Sequence, residues 1–420
     1  MYKRQVLDNG LRIVSEKIPY VKSVSVGIWI GAGVANETAE ESGISHFIEH
    51  MLFKGTQTRS AKKIAEEIDG IGGQLNAFTG KECTCYYAKT LDSHIDRVFD
   101  VLSDMLFSSN LSNKDIETER NVISEEIRMY EDSPEELVHD LLAETVWHDN
   151  ALGYPILGTY ESLHKINRQL ILEYIQKRYS PQNTVISVAG SFDSDNLQEL
   201  IYKYFGGWKK TKIADEQINH ISFNSEITFK HKDTEQIHMC IGFNGLKHGD
   251  DRLYALLVAN NIIGGGVSSR FFQKIREDKG LVYSIYSYPS SYKDVGMFTI
   301  YAGMNPEHVK TVTELLLTEL KTIVKNKFTE EEVNKAKEQL KGAYILGLES
   351  TSSRMTSIGK SELLLRKTYS PDEIVNKIEK VSMNDVAEII QNVFNNQPPA
   401  LSVVGTTKTR IDFARLLKLK

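Results

Sequence analysis

The sequence predicts an α+β chain of two related domains, each a mixed β-sheet with helices packed on one face. Three observations lead there. The chain has 420 residues, more than one ordinary hydrophobic core organises. Strand-like and helix-like stretches alternate, but not in the strict βαβ order of a parallel sheet. The second half of the chain also replays the pattern of the first.

In the first half, 11–15 and 23–31 read as strands, with Val24, Val26, Ile28 and Ile30 sharing one face at period two. Residues 44–54 and 60–69 have helical periodicity. Gly70, Gly72 and Gly73 punctuate before strands at 75–79 and 83–91, and helices follow at 93–107, 113–130 and 134–147. A strand at 185–188 stops at Gly190. One more amphipathic helix ends in Gly206-Gly207-Trp208 and the charged run Lys209-Lys210-Thr211-Lys212, the best candidate linker. The pattern then restarts. Strand, turn and helix at 236–263 echo 24–50, the helix opening at Thr329-Glu330-Glu331-Glu332 echoes 113–130, and 401–405 echoes 185–190. The expected domains are therefore 1–212 and 213–420.

Composition narrows the functional classes. Hydrophobic residues make up 41% and charged residues 25%, a globular balance, and the net charge of −6 argues against a dedicated nucleic-acid binder. No apolar run reaches the ~18 residues that span a bilayer. The basic N-terminus leads into a strand-like pattern with no apolar stretch between, so neither a signal nor a transit peptide is expected. Cys83, Cys85 and Cys240 are an odd number for a disulfide framework and read as free thiols. A cytoplasmic location is the corresponding expectation.

The chemistry lies in His46-Phe47-Ile48-Glu49-His50. Positions i, i+3 and i+4 share a helical face, so two imidazoles can chelate one ion with a carboxylate beside them. A hydrolytic zinc takes three protein ligands and leaves a position for water, and Glu49 is placed to accept that water's proton. The bland alternative is a pair of surface histidines on an amphipathic helix. The third ligand is sought in the helix 117–130, which carries Glu119, Glu125 and Glu126. Glu126 shares its face with Val122, Ile123, Met129 and Tyr130, whereas Glu125 lies with Thr118, Asn121, Arg128 and Asp132. A carboxylate on an apolar face is costly unless it is paired or metal-bound, which selects Glu126. Glu119, two turns earlier, is a candidate for orienting an imidazole.

With Glu119 and Glu126 following it, the HxxEH motif resembles the inverzincin arrangement of the pitrilysin (M16) family, notably its mitochondrial processing peptidase-like branch and that branch's bacterial members. The resemblance rests on residues 43–56, on Leu75-Asn-Ala-Phe-Thr79 and on 119–126. In the second half it rests on Gly264-Gly265-Gly266, Ser268-Ser269-Arg270 and 276–283. It implies a LuxS/MPP-like metalloprotease fold, one zinc ion per chain held by His46, His50 and Glu126, Glu49 as general base and Glu119 as supporting carboxylate. It further implies that Asn76 and Ala77 lie on an edge strand that pairs with an extended peptide. Arg276 and Tyr283 are similar to a pair that closes on the substrate from the second domain, with Tyr283 donating to the oxyanion. Of the two halves, only the first has the metal motif. The expected function is a zinc endopeptidase acting on unfolded or extended peptides; the alternative is a catalytically silent scaffold or assembly subunit of the same fold, which would have lost the ligand and base set that is intact here. A homodimer of catalytic subunits is the expected assembly.

Overall fold

The computed structural model describes residues 2–211, 221–407 and 411–417. The expected boundary at 212/213 lies outside the described residues. Two mixed sheets organise the chain. The first contains β1 (Tyr2–Val6), β2 (Arg12–Lys17), β3 (Ser23–Ile30), β4 (Gln74–Thr79), β5 (Thr84–Leu91) and β6 (Thr184–Gly190), in the order β1-β2-β6-β3-β5-β4. Only β2 and β6 run parallel. The second contains β7 (Ile227–His231), β8 (Ile237–Asn244), β9 (Val282–Ser291), β10 (Gly296–Met304) and β11 (Ala400–Gly405), in the order β7-β11-β8-β10-β9. Here β7 and β11 form the parallel pair. Matching β2 to β7 and β3 to β8, and so on to β6 and β11, makes the two orders identical. β1 is the addition in the first sheet. The repeat read from the sequence is thus a repeat of topology.

Each sheet has one face covered by a layer of helices. In the first, Ile44–Leu52, Ala61–Asp69, Ile95–Ser108, Asn113–Glu131, Arg168–Arg178 and Ser194–Phe205 supply apolar side chains to a core shared with Val24, Val26 and Ile28 of β3. In the second, Leu253–Ile263, Val309–Asn326, Glu330–Gly347 and Met383–Asn395 do the same over Met239 and Ile241 of β8. Burial of such apolar faces is the main stabilising term in both layers.

The compact units do not coincide with the two halves of the chain. One comprises Met1–Ile127, Tyr154–Ile218 and Gly347–Ser370; the other comprises Arg128–Gly153, Asn219–Leu346 and Pro371–Lys420. Each sheet carries one further helix on its opposite face, and that helix comes from the other half of the sequence. Thr351–Leu365 lies on β2, β3 and β6, where Met355, Ile358 and Leu363 pack with Trp29, Cys85 and Val185. The approach is close enough to need glycine. A Cβ on Gly27 would collide with Met355 Sδ, and one on Gly359 with Trp29 Nε1. Arg4 donates to both Glu362 oxygens at 2.9 and 3.0 Å, and Arg12 donates to the Glu362 carbonyl at 2.7 Å. Pro134–Val146 lies likewise on β8 and β11, where the Ser402 hydroxyl donates to the Val138 carbonyl at 2.8 Å. Helical periodicity shows that such a helix has an apolar face, not which sheet the face covers.

All three cysteines are free and buried. Among the described residues no helix is long and apolar enough to cross a membrane.

Candidate metal centre

Helix Ile44–Leu52 follows β3 and starts at Gly43, whose φ of +88° favours glycine. A Cβ there would also lie 2.7 Å from the Leu157 carbonyl oxygen and 2.8 Å from Gly158 Cα. Ile44, Phe47, Ile48 and Met51 face the core, which turns His46, Glu49 and His50 together toward helix Asn113–Glu131. His46 Nε2 lies 3.9 Å from Glu126 Oε2, and His50 Nε2 lies 3.8 Å from the same oxygen. The two rings meet edge to face with centroids 4.6 Å apart. These separations are too long for hydrogen bonds but suit three donors around one ion. One ligand atom from each residue lies within 4.8 Å of the others, and among the described residues no other His, Cys, Asp and Glu group of three or more converges in this way.

The electrostatics fit a cation. Burial, reinforced by His50, pushes His46 down to about 3, so its imidazole is neutral and offers a lone pair. Burial raises the Glu126 carboxyl, with His50 opposing, and no lysine or arginine pairs with it among the described residues. Two imidazole nitrogens and a carboxylate oxygen form the donor set of a hydrolytic zinc site.

Around the donors lies a second set of contacts. Glu119 is buried and its Oε2 is 3.0 Å from His50 Nδ1. An N–H at Nδ1 donating to that carboxylate leaves the Nε2 lone pair pointing at the metal position. Lys54 Nζ in turn sits 2.5 Å from Glu119 Oε1. The Thr79 hydroxyl donates to Glu49 Oε2. Burial raises the Glu49 carboxyl, while the Thr79 bond and His50 pull it back and Glu126 adds to the rise.

Asn76 and Ala77 lie in β4, at the end of the sheet order, where β4 pairs with β5 alone. Helix Ile44–Leu52 packs on this strand. Arg276 and Tyr283 belong to the second unit. Arg276 sits near the end of the turn Phe272–Glu277, its guanidinium carbon 4.6 Å from the Phe272 ring centroid and 6.0 Å from that of Tyr283. Tyr283, near the start of β9, is 73% exposed. Gly264 ends helix Leu253–Ile263, and its carbonyl accepts from Ser287 N–H at 3.0 Å, so the start of the glycine run is a helix terminus.

Helix Asn113–Glu131 is more exposed on the Glu126 side than its apolar residues suggest. Ile123 is fully buried, but Val122, Met129 and Tyr130 are exposed. The face shared by Glu126 is therefore apolar in composition without being a buried side. Helical phase alone does not decide burial, because this helix is covered along only part of its width. Glu125 is exposed, as its polar neighbours predicted. Lys54 and Thr79 went unassigned in the sequence, although Lys54 follows His50 by four residues and the alternation of β4 puts Leu75, Ala77 and Thr79 on one face.

The family model described as insulinase (peptidase family M16) matches residues 12–160, and the model described as the peptidase M16 inactive domain matches residues 165–340. The chain belongs to peptidase family M16. A Bacillus subtilis relative named as an uncharacterized zinc protease is 47% identical over 394 residues, covering 94% of this chain and 96% of the relative. A Streptomyces coelicolor relative of the same description is 39% identical over 415 residues, covering 97% and 90%. The crystal structure of a protease from Helicobacter pylori superposes with a TM-score of 0.90 at 22% identity, covering 97% of this chain and 99% of that one. That of a peptidase M16 inactive domain from Pseudomonas fluorescens gives 0.90 at 16% identity, covering 98% and 99%. Both share the M16 fold with this chain. The model of the inactive domain falls mainly on the half without the HxxEH motif.

Proposed function

We propose that this M16 chain is a zinc-dependent endopeptidase that cleaves extended segments of unfolded polypeptide, with one zinc ion held by His46, His50 and Glu126. The observation that carries the reading is the convergence of two imidazoles on one unpaired carboxylate, with the Glu49 carboxylate on the same helical face. The names of the relatives support it. Zinc in such a site supplies Lewis acidity, polarising the scissile carbonyl and lowering the pKa of a water molecule.

The chain's own residues supply the rest. Glu49 accepts the attacking water's proton and returns it to the leaving amine, and its raised carboxyl suits both transfers. The hydroxyl of Thr79 fixes one of its oxygens. Backbone groups of Asn76 and Ala77 hold the substrate as an added strand on β4, which explains a preference for extended chain over folded protein. Tyr283 donates to the developing oxyanion and Arg276 grips the substrate. The Tyr283 side chain is largely exposed, so its hydroxyl is accessible for that role.

The deciding experiment is Glu49→Gln, assayed on unstructured peptides with zinc content measured in parallel. The amide keeps the shape but accepts no proton, so the variant should fold, hold about one zinc per chain and lose ~10²–10⁴-fold in turnover. Chelation of the wild type should abolish cleavage and zinc should restore it. Cleavage by the variant at the wild-type rate, or wild type that never binds zinc, overturns the reading in favour of a silent scaffold.

A further inference from the structure

His46 and His50 face the same carboxylate but are held by different means. His50 is oriented through Nδ1 by Glu119, which Lys54 holds in turn. His46 has no such partner: its Nδ1 is buried and without a hydrogen bond among the described residues. The position of its ring therefore depends on packing and on the backbone of the first helical turn.

That turn is capped from outside. Gly43, the N-cap residue, has no side chain to accept the free amides of the helix start. The acceptor comes from six residues upstream. Glu37 Oε2 accepts from Gly43 N–H at 2.8 Å, and Glu37 Oε1 accepts from Ser45 N–H at 2.9 Å. The Ser45 hydroxyl also lies 2.9 Å from the Tyr174 hydroxyl of helix Arg168–Arg178. Glu37 is 5% exposed and pairs with no cation among the described residues. Burial pushes its carboxyl up to about 7, against the bonds from Ser45 and Gly43 that lower it. A carboxylate in that position costs stability through desolvation, yet it alone offers two acceptor oxygens to two diverging amides.

We propose that Glu37 is a positioning residue of the metal centre: its carboxylate fixes the turn that carries His46 and substitutes for the side-chain partner His46 lacks. This rests on the reading of His46, His50 and Glu126 as zinc ligands, and not on peptidase activity. Glutamine at this position keeps the volume but has one acceptor oxygen, so its NH₂ group faces a backbone N–H. One amide of the turn then loses its partner, and the turn that carries His46 is less firmly held.

The test is the zinc affinity of Glu37→Gln and Glu37→Asp, measured by chelator competition. It is accompanied by the melting temperature of the metal-free protein and by amide exchange at Gly43 and Ser45. The expected result for Glu37→Gln is a Kd raised ~10–100-fold, the usual effect of losing an outer-sphere partner. Exchange at Ser45 should accelerate while the metal-free melting temperature stays within a few degrees. Glu37→Asp, which keeps the charge and shortens the reach, should bind zinc more tightly than the Gln variant and more weakly than wild type. An unchanged Kd in Glu37→Gln overturns the proposal. So does a Kd that worsens only in step with a large fall in metal-free melting temperature, since that marks a purely structural residue. Should Glu37→Gln fail to fold, Glu37→Asp decides alone: wild-type affinity overturns, and weakened affinity in a folded protein supports. Wild type that takes up no zinc refutes the ligand reading itself, and the inference with it.

Discussion

Helices Asn113–Glu131 and Glu330–Gly347 hold corresponding places in the two units, each being the second helix after the strand that pairs with β3 or β8. Their carboxylates are in opposite states. Glu332 accepts two bonds from Arg270, at 2.7 and 2.9 Å, and the N–H of Thr329 at 2.8 Å. Burial acts to raise its carboxyl, but these bonds prevail and hold it at about 2. Glu126 has no cation among the described residues, faces two imidazoles at 3.8 and 3.9 Å, and is raised. A carboxylate that only stabilises a fold is matched within the protein. One left unmatched among potential ligands is a candidate binding position. The helices after β3 and β8 differ in the same sense. Ile44–Leu52 carries His46, Glu49 and His50, while Leu253–Ile263 has Asn260, whose Oδ1 accepts from the Ser287 hydroxyl at 2.8 Å. The topology needs a helix there; it does not need the ligands.

Removing the unmatched carboxylate is the strongest way to break the comparison. Glu126→Gln should weaken zinc binding by more than the ~10–100-fold typical of an outer-sphere loss and abolish cleavage, while Glu125→Gln should leave both near wild type. Metal analysis after dialysis measures this, and equal loss in the two variants would show that the ligand has been misassigned.

Next in size is the second unit's proposed contribution. Tyr283→Phe removes one hydroxyl from an exposed ring, so fold and zinc content should be unchanged. Turnover should fall ~10²–10³-fold, as for a lost oxyanion donor. Unchanged turnover would leave the second unit without a chemical role at this position.

A smaller effect is expected at Glu119, matched on one side by Lys54 and on the other by His50. Glu119→Gln should raise the zinc Kd ~10–100-fold. Lys54→Met should act in the same direction, since it leaves a buried carboxylate without its cation. If Lys54→Met tightens zinc binding instead, the lysine competes with the metal for Glu119 rather than supporting it.

What could be read in the sequence follows the range of the interactions. His46, Glu49 and His50 lie within five residues, so one helical period suffices to bring them together. The choice of Glu126 over Glu125 required only the phase of a second helix, although the apolar neighbours invoked for it, Val122 and Met129, prove to be exposed. The repeat was legible because strand and helix periodicities recur in order. The exchange of Pro134–Val146 and Thr351–Leu365 was not, since an amphipathic helix satisfies either sheet. Glu37 and Thr79 were hidden for a similar reason. Each acts through a hydrogen bond whose existence depends on burial and on the path of the intervening chain, six residues from Glu37 to Gly43 and thirty from Glu49 to Thr79.

The smallest predicted effect sharpens the other side of the comparison. A structural carboxylate should contribute to stability and leave the metal alone. Glu332 is depressed from the ordinary 4.5 to about 2 in the folded protein. Its contribution is therefore fully present above pH 4.5 and is lost as the pH falls toward 2, because the unfolded chain takes up the proton first. In Glu332→Gln that increment of acid sensitivity should disappear. At neutral pH the variant should be destabilised by about 1–2 kcal/mol, the low end for charged hydrogen bonds, because the side chain is 30% exposed and Arg270 keeps Glu319 at 3.3 Å. Zinc affinity should be unchanged. Denaturant titrations of metal-free wild type and variant at pH 7 and pH 3 measure both terms. The stability gap between them should narrow at the lower pH, and a gap that widens there would mean that Glu332 is not the matched carboxylate its contacts describe.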